Sequence, residues 1–242
     1  MKNFGLLGKN IDYSFSRGYF KNKFETNKLE CSYNNFDLET IEDFEELKNT
    51  TQLSGLNVTI PYKQEVIPYL DAIDSEAQEI GAVNTIKIKN GKLTGYNTDH
   101  FGFENSLKPH LKPHHKNALI LGTGGASKAV AFALKKLGIP FEYVSRSQSP
   151  AVKYTYELLS KKGIGEYQII INCTPLGTFH DVTKCPQIPY DQITSNHLLF
   201  DLIYNPEETL FLKQGNKKNA TTLNGLEMLS LQAEKSWEIW NL

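Results

Sequence analysis

Cysteine is scarce in this chain. Its 242 residues contain three, Cys31, Cys173 and Cys185, an odd number with no Cys-x-x-Cys pair. That pattern argues against a disulfide framework and for reduced thiols in a cytosol, each a small buried side chain by default. A charge excess of either sign is also missing. The 26 basic and 27 acidic residues leave a net charge of −1, which argues against nucleic acid or an anionic membrane surface as the main partner. No apolar run is long enough to cross a bilayer. The opening MKNFGLLGKN reads as a strand entering a loop and lacks the apolar segment of a secretory signal. Repeats and low-complexity tracts are absent as well. What is present is an ordinary globular balance, 40% hydrophobic and 22% charged, at a length that predicts one large domain or two small ones.

Strand and helix periods alternate along the chain, which predicts the α/β class. Strands are expected over 3–7, 29–33 and 56–60, and helices over 16–24, 38–47 and 75–80. In the 56–60 strand, Leu56, Val58 and Ile60 alternate with Asn57 and Thr59, so the three apolar residues are expected to bury one face. Segments 82–88 and 92–96 read as a hairpin closed by Asn90-Gly91, a strong tight-turn signal, and a helix is expected after Asp99. Residues 108–116, KPHLKPHHK, break both periods and read as a separator between two lobes. His114 and His115 within it read as a polar loop, because adjacent side chains rarely converge and no carboxylate or cysteine cluster accompanies them. Strands at 118–121 and 141–145 around a helix at 125–137 then begin a βαβ unit. Further buried strands are expected at 168–172 and 198–202, and a closing helix at 226–240.

The sharpest local signal is ALILGTGGASKAV, with Gly122, Gly124, Gly125 and Ala126 between a strand and a helix. Gly122 permits a tight turn, Gly124 lets backbone approach a pyrophosphate, and a small residue near Ala126 lets helix and strand pack closely. The helix N-terminus then offers N–H groups and partial positive charge to phosphates. The plainer reading is a glycine-rich turn without a ligand. The next strand ends at Ser145-Arg146. An arginine there, where an NAD site usually carries Asp or Glu, suits a 2′-phosphate and points to NADP. The plainer reading is a solvated arginine.

Four segments of the first lobe concentrate polar groups near element ends: Ser14-Phe-Ser16, NVTIPYK with Asn57, Thr59 and Lys63, GAVNT with Asn84, and GYNTD with Asp99. Singly, each has a plain explanation. Ser14 or Ser16 can be an N-cap, Asn84 a turn residue, Asp99 a cap and Lys63 a solvated amine. Together, in this order and ahead of GTGGA, they resemble shikimate dehydrogenase over nearly the whole chain. NCTPLG (172–177), DLIYNP (201–206) and GLEMLSLQA (225–233) continue the likeness. The chain departs from the usual pattern at Tyr13 and Arg17, which replace a histidine and a proline. It departs again after Arg146, where the nearest later cation is Lys153, and between Arg146 and Asn172, which is short.

The resemblance implies two α/β lobes: an N-terminal mixed-sheet substrate domain, residues 1–100 with the closing helix 224–242, and a Rossmann-like NADP-binding domain, residues 101–223, with the active site in the cleft. It implies NADPH-dependent, reversible reduction of 3-dehydroshikimate to shikimate in aromatic amino acid (chorismate) biosynthesis. Lys63 and Asp99 become a catalytic pair in which the proton is assigned to neither member. Ser14 and Ser16 are expected to hold the substrate carboxylate, and Asn57, Thr59, Asn84, Tyr204 and Gln232 to complete the substrate set. Ser145, Arg146, Thr174, Gly225 and Met228 join the glycine loop at NADP(H). No metal is called for, and His100, beside Asp99, reads as structural or solvated. The protein is expected to be a cytoplasmic monomer or homodimer whose partner is a small molecule. Two other readings stand beside this one. One is a quinate/shikimate dehydrogenase accepting NAD. The other is a non-catalytic metabolite sensor, against which the presence of both Lys63 and Asp99 speaks.

Overall fold

The computed structural model describes residues 2–12, 14–179 and 181–242; Tyr13 lies outside them. The chain forms two compact units, Met1–Phe101 with Ser230–Leu242, and Gly102–Leu229.

The first unit begins with β1 (Lys2–Gly8), α1 (Phe15–Thr26) and β2 (Cys31–Asp37). A short 3-10 turn, Ile41–Asp43, leads into α2 (Phe44–Thr50), so the expected acidic helix is displaced toward its apolar anchor Phe44, which is fully buried. Next come β3 (Gly55–Val58), the two-residue β4 (Ala72–Ile73), α3 (Ser75–Ile80), β5 (Thr85–Lys89) and β6 (Lys92–Tyr96). The six strands form one mixed sheet in the order β2-β1-β3-β5-β6-β4. The β5–β6 hairpin turns at Asn90 and Gly91, both with positive φ (53° and 75°), as a two-residue turn of matching twist requires.

Strand β3 is shorter than its alternation predicts. Leu56 and Val58 are buried, but Ile60 is 73% exposed. Pairing with β5 stops at Asn57–Thr85, so the chain has left the sheet before Ile60 can reach the core. A central strand is also buried on both faces, which takes Asn57 inside with its apolar neighbours. The aromatic side chains Phe4, Phe20, Phe24, Tyr33, Trp237 and Trp240 fill the other half of this core, with Phe4 stacked on Trp240 and Phe20 on Tyr33, both at 4.7 Å.

The second unit starts at Gly102, within helix α4 (Asp99–Leu107), which begins in the first unit. Its strands are β7 (Ala118–Leu121), β8 (Phe141–Ser145), β9 (Tyr154–Thr155), β10 (Ile169–Asn172), β11 (Leu198–Asp201) and β12 (Thr221–Leu223). Its helices are α5 (Gly125–Lys136), α6 (Tyr156–Lys162) and α7 (Leu210–Asn216); α8 (Leu226–Asn241) starts here and ends in the first unit. All strand pairs are parallel. Every residue of β7, β10 and β11 is buried, as expected of a parallel sheet covered on both faces. The order β12-β11-β10-β7-β8-β9 is that of a doubly wound dinucleotide fold, and its direction reverses between β7 and β10. The loops after those two strands are therefore where such a sheet offers a ligand crevice.

Candidate active site

Lys63 sits in the turn after β3, and its backbone carbonyl accepts from Val83 N–H at 2.7 Å. Asp99 opens α4, whose first N–H groups donate to the Asn97 side-chain oxygen. These anchors bring Lys63 Nζ to 2.6 Å from Asp99 Oδ2, with the two side chains 16% and 8% exposed. Two charges so far from water depend on one another. Removing either one leaves an uncompensated charge, at a cost of about 3–5 kcal/mol.

Asn84 holds the other carboxylate oxygen. Its Oδ1 accepts Thr98 N–H at 2.7 Å, and a backbone N–H can only donate, so the amide orientation is determined. Its Nδ2 then donates to Asp99 Oδ1 (2.8 Å), Thr98 Oγ1 (3.0 Å) and Gln232 Oε1 (3.4 Å). Asn57 is committed to protein through both polar atoms. Its Oδ1 accepts from the Tyr33 hydroxyl (2.8 Å), and its Nδ2 donates to Ser236 Oγ (2.9 Å), Thr85 Oγ1 (3.3 Å) and the Asn84 carbonyl (3.4 Å).

Five predicted residues, Asn57, Lys63, Asn84, Asp99 and Gln232, therefore join one hydrogen-bonded set. The other first-unit residues stand at its margins. Ser14 caps α1, accepting from Arg17 N–H. Ser16 lies half-buried in the first turn of α1. Thr59 donates its N–H to the Leu7 carbonyl at 2.8 Å. His100 is buried and pairs with Glu76 at 3.2 Å. Sequence reading missed the neutral hydroxyls that link the set: Tyr33, Thr85, Thr98 and Ser236. The threonines lie within the quoted AVNT and NTD segments, and Ser236 follows Gln232 by one helical turn, so a signal existed for three of the four.

In the second unit the loop after β7 suits a pyrophosphate. Gly122 has φ +104°, and a Cβ there would sit 3.2 Å from the Thr174 methyl and 3.3 Å from the Cys173 carbonyl. Glycine is needed for both the backbone conformation and the close approach of the β10 loop. In front of Gly124 nothing lies within 4 Å, so any side chain there would fill an open cradle. Helix α5 starts directly behind it, at Gly125 and Ala126, with no side-chain cap on its N-terminus. Thr174 is held by Asn172, whose Oδ1 accepts both its N–H (3.0 Å) and its hydroxyl (2.7 Å).

Arg146 is exposed just past Ser145 at the end of β8. Lys153 does not accompany it as a second free cation, because its Nζ donates to Glu142 at 2.6 Å and lies over the Tyr154 ring. Tyr204 is half-buried after β11. Gly225 packs so closely on Leu202 that a Cβ would meet its carbonyl oxygen, and Met228 is buried in the second unit's core.

Asp201 is the deepest charge-bearing group of this unit. It accepts from Asn172 Nδ2 (3.0 Å), Ile203 N–H (3.1 Å) and Thr209 Oγ1 (2.6 Å) and is fully buried. Burial pushes its carboxyl up to about 6, and the three hydrogen bonds only partly oppose the shift. The neighbouring Cys173 thiol is likewise pushed up, first by burial and then by Asp201.

Residues 6–86 match the family described as the shikimate dehydrogenase substrate binding domain. Over 256 residues the chain is 38% identical to a protein named shikimate dehydrogenase (NADP(+)) from Methanococcus vannielii, covering 98% of this chain and 90% of that relative. The crystal structure of shikimate dehydrogenase 1 from Peptoclostridium difficile superposes with a TM-score of 0.87 at 41% identity, covering all of this chain and 92% of that one. A Thermus thermophilus shikimate 5-dehydrogenase, solved with NADP(H) and shikimate, superposes with a TM-score of 0.86 at 31% identity, covering 99% and 93%.

Proposed function

Because the chain belongs to the shikimate dehydrogenase family, we propose that it catalyses the reversible NADPH-dependent reduction of 3-dehydroshikimate to shikimate, with Lys63 and Asp99 as its catalytic pair. The carrying observation is the buried 2.6 Å contact between these two side chains, with Asn84 on the remaining carboxylate oxygen. Reduction of a ketone leaves negative charge on its oxygen. That oxygen needs a proton and a cation beside it, and the Lys63 ammonium can meet both needs. Asp99 keeps the ammonium in place, and the two groups handle the proton as a unit.

The first unit is assigned to the substrate and the second to the cofactor. Ser14 and Ser16 supply hydroxyl donors for a carboxylate, and Thr59, Asn84 and Gln232 supply partners for ring hydroxyls; Tyr204, which belongs to the second unit, is given to the substrate on the family resemblance alone. Asn57 stands behind Asn84. NADP(H) supplies the hydride chemistry when bound. Gly122, Gly124, Gly125 and Ala126 suit its pyrophosphate, Ser145 and Arg146 its 2′-phosphate, and Thr174, Gly225 and Met228 complete the set. The test is cofactor reduction with shikimate and quinate, each with NADP and NAD. Shikimate with NADP should turn over fastest. Shikimate binding without NADP-dependent turnover would replace the enzyme reading with a metabolite sensor.

A further inference from the structure

We propose that Tyr33 and Ser236 are positioning residues for the Lys63–Asp99 pair, acting through the Asn57 amide. The proposal rests on the dehydrogenase reading above. Neither residue touches the pair. Tyr33 lies on the edge strand β2 and Ser236 on α8, and both hydroxyls reach the middle of β3.

The amide of Asn57 is held from two sides. The Asn84 carbonyl can only accept, so the Nδ2 edge of Asn57 faces it and Oδ1 faces Tyr33. Ser236 is fully buried and has one proton, which it gives to the Gln232 carbonyl at 2.9 Å, one turn back along α8. Its oxygen is then left to accept. Asn57 Nδ2 donates to it at 2.9 Å, and Thr85 Oγ1 and Thr98 Oγ1 stand at 2.8 and 3.2 Å. Once Asn57 has taken one lone pair, one threonine can donate to Ser236. The other can donate to Asn84 Oδ1, from 3.1 Å for Thr85 or 3.2 Å for Thr98, ahead of the longer contacts of Thr98 with Gln232 Oε1 (3.4 Å) and of the two threonines with each other (3.3 Å). With the shorter of these contacts made, Asn84 Oδ1 receives the Thr98 N–H and one hydroxyl, and its Nδ2 is directed at Asp99. Ser236 thus sets the proton order behind Asn84, and Tyr33 holds the Asn57 amide in the orientation that order needs.

Buried polar networks of this kind act as units, because each unpaired member disturbs the next. Loss of either hydroxyl should loosen Asn84 and, through it, the Lys63–Asp99 contact. The natural variants are Tyr33→Phe, whose ring keeps its stack on Phe20, and Ser236→Ala. Kinetics would be measured per folded enzyme, with thermal melts and the NADP dissociation constant alongside. Each single variant should lower kcat about tenfold, within the ~10²-fold penalty of misplacing a catalytic group by about 1 Å. NADP affinity should be unchanged. Since both act on one amide, the double variant should lose little more than the worse single. Losses that multiply would refute the shared route through Asn57. A folded Tyr33→Phe enzyme with kcat within about twofold of the parent would overturn the inference, while Lys63→Ala, measured in parallel, would still be impaired. A Lys63→Ala enzyme as active as the parent would overturn the dehydrogenase assignment of the pair as well.

Discussion

Each unit buries an aspartate in a hydrogen-bonded network, and the two networks differ in one respect. Asp99 has a cation, Lys63, at 2.6 Å. Asp201 has three neutral donors and, among the described residues, no cationic partner. The groups facing it that can titrate, Cys173 and Tyr190, are themselves neutral and pushed up by burial. Neutral hydrogen bonds help a buried carboxylate but do not replace a counter-ion, so Asp201 titrates near 6. The difference separates a charge pair that suits the proposed chemistry from a carboxyl group that suits architecture. Asp201 ties the β10 loop, through Asn172 and Thr174, to the turn after β11, and it needs no charge to do so. A protonated Asp201 can give its hydrogen to Thr209.

The largest expected effect breaks the charged network. Lys63→Ala should reduce kcat by about 10²–10⁴-fold, the usual worth of general acid–base catalysis, while the dissociation constant for shikimate moves far less. Steady-state kinetics with equilibrium binding would check it, and a loss confined to binding would remove Lys63 from the chemistry.

The matching change in the second network is Asp201→Asn, which keeps the shape and cannot ionise. Because folding raises the Asp201 pKa from 3.8 to about 6, its ionisation costs stability as pH rises through that window. The asparagine variant should therefore gain on the parent between pH 4 and pH 7, by on the order of 3 kcal/mol. Denaturation at the two pH values reads the difference, and a pH-independent offset would show that Asp201 ionises in the fold as it does in the unfolded chain.

Arg146→Ala should remove most of the preference for NADP over NAD, because Lys153 is already engaged by Glu142. Paired affinity measurements on parent and variant test this, and an unchanged ratio would move 2′-phosphate recognition elsewhere.

The smallest effect concerns two buried imidazoles of the second unit. His115 and His197 have pKa values lowered, chiefly by burial. Their contribution is complete above the unfolded value of about 6.5 and is lost as pH falls through the lowered values. This runs opposite to Asp201. The His115→Gln/His197→Gln variant should lose less stability than the parent between pH 7 and pH 5, as chemical denaturation would show.

Local signals made much of this legible. The Asn90-Gly91 hairpin, helix α3, strands β7 and β8 and the glycine turn follow from neighbours within a few residues, and the structure reproduces them. Lys63 and Asp99 were legible as a pair only through the resemblance, since no period relates residues 36 apart. The short elements α6, α7 and β12 carry too little periodic pattern to be read. Alternation also misjudged Ile60, because it describes a strand without saying where the strand stops.

The sequence by itself therefore determined the α/β class, the strand–turn–helix that suits a dinucleotide, and the residue types available for the chemistry. The tertiary structure alone decided which polar groups meet. Tyr33, Asn57, Asn84 and Ser236 come from β2, β3, the approach to β5 and α8, and they touch because the sheet order and the closing helix stack those elements. A hydroxyl has no periodic signature. Its role depends on the partner that folding places within about 3 Å, and that partner can lie anywhere in the chain.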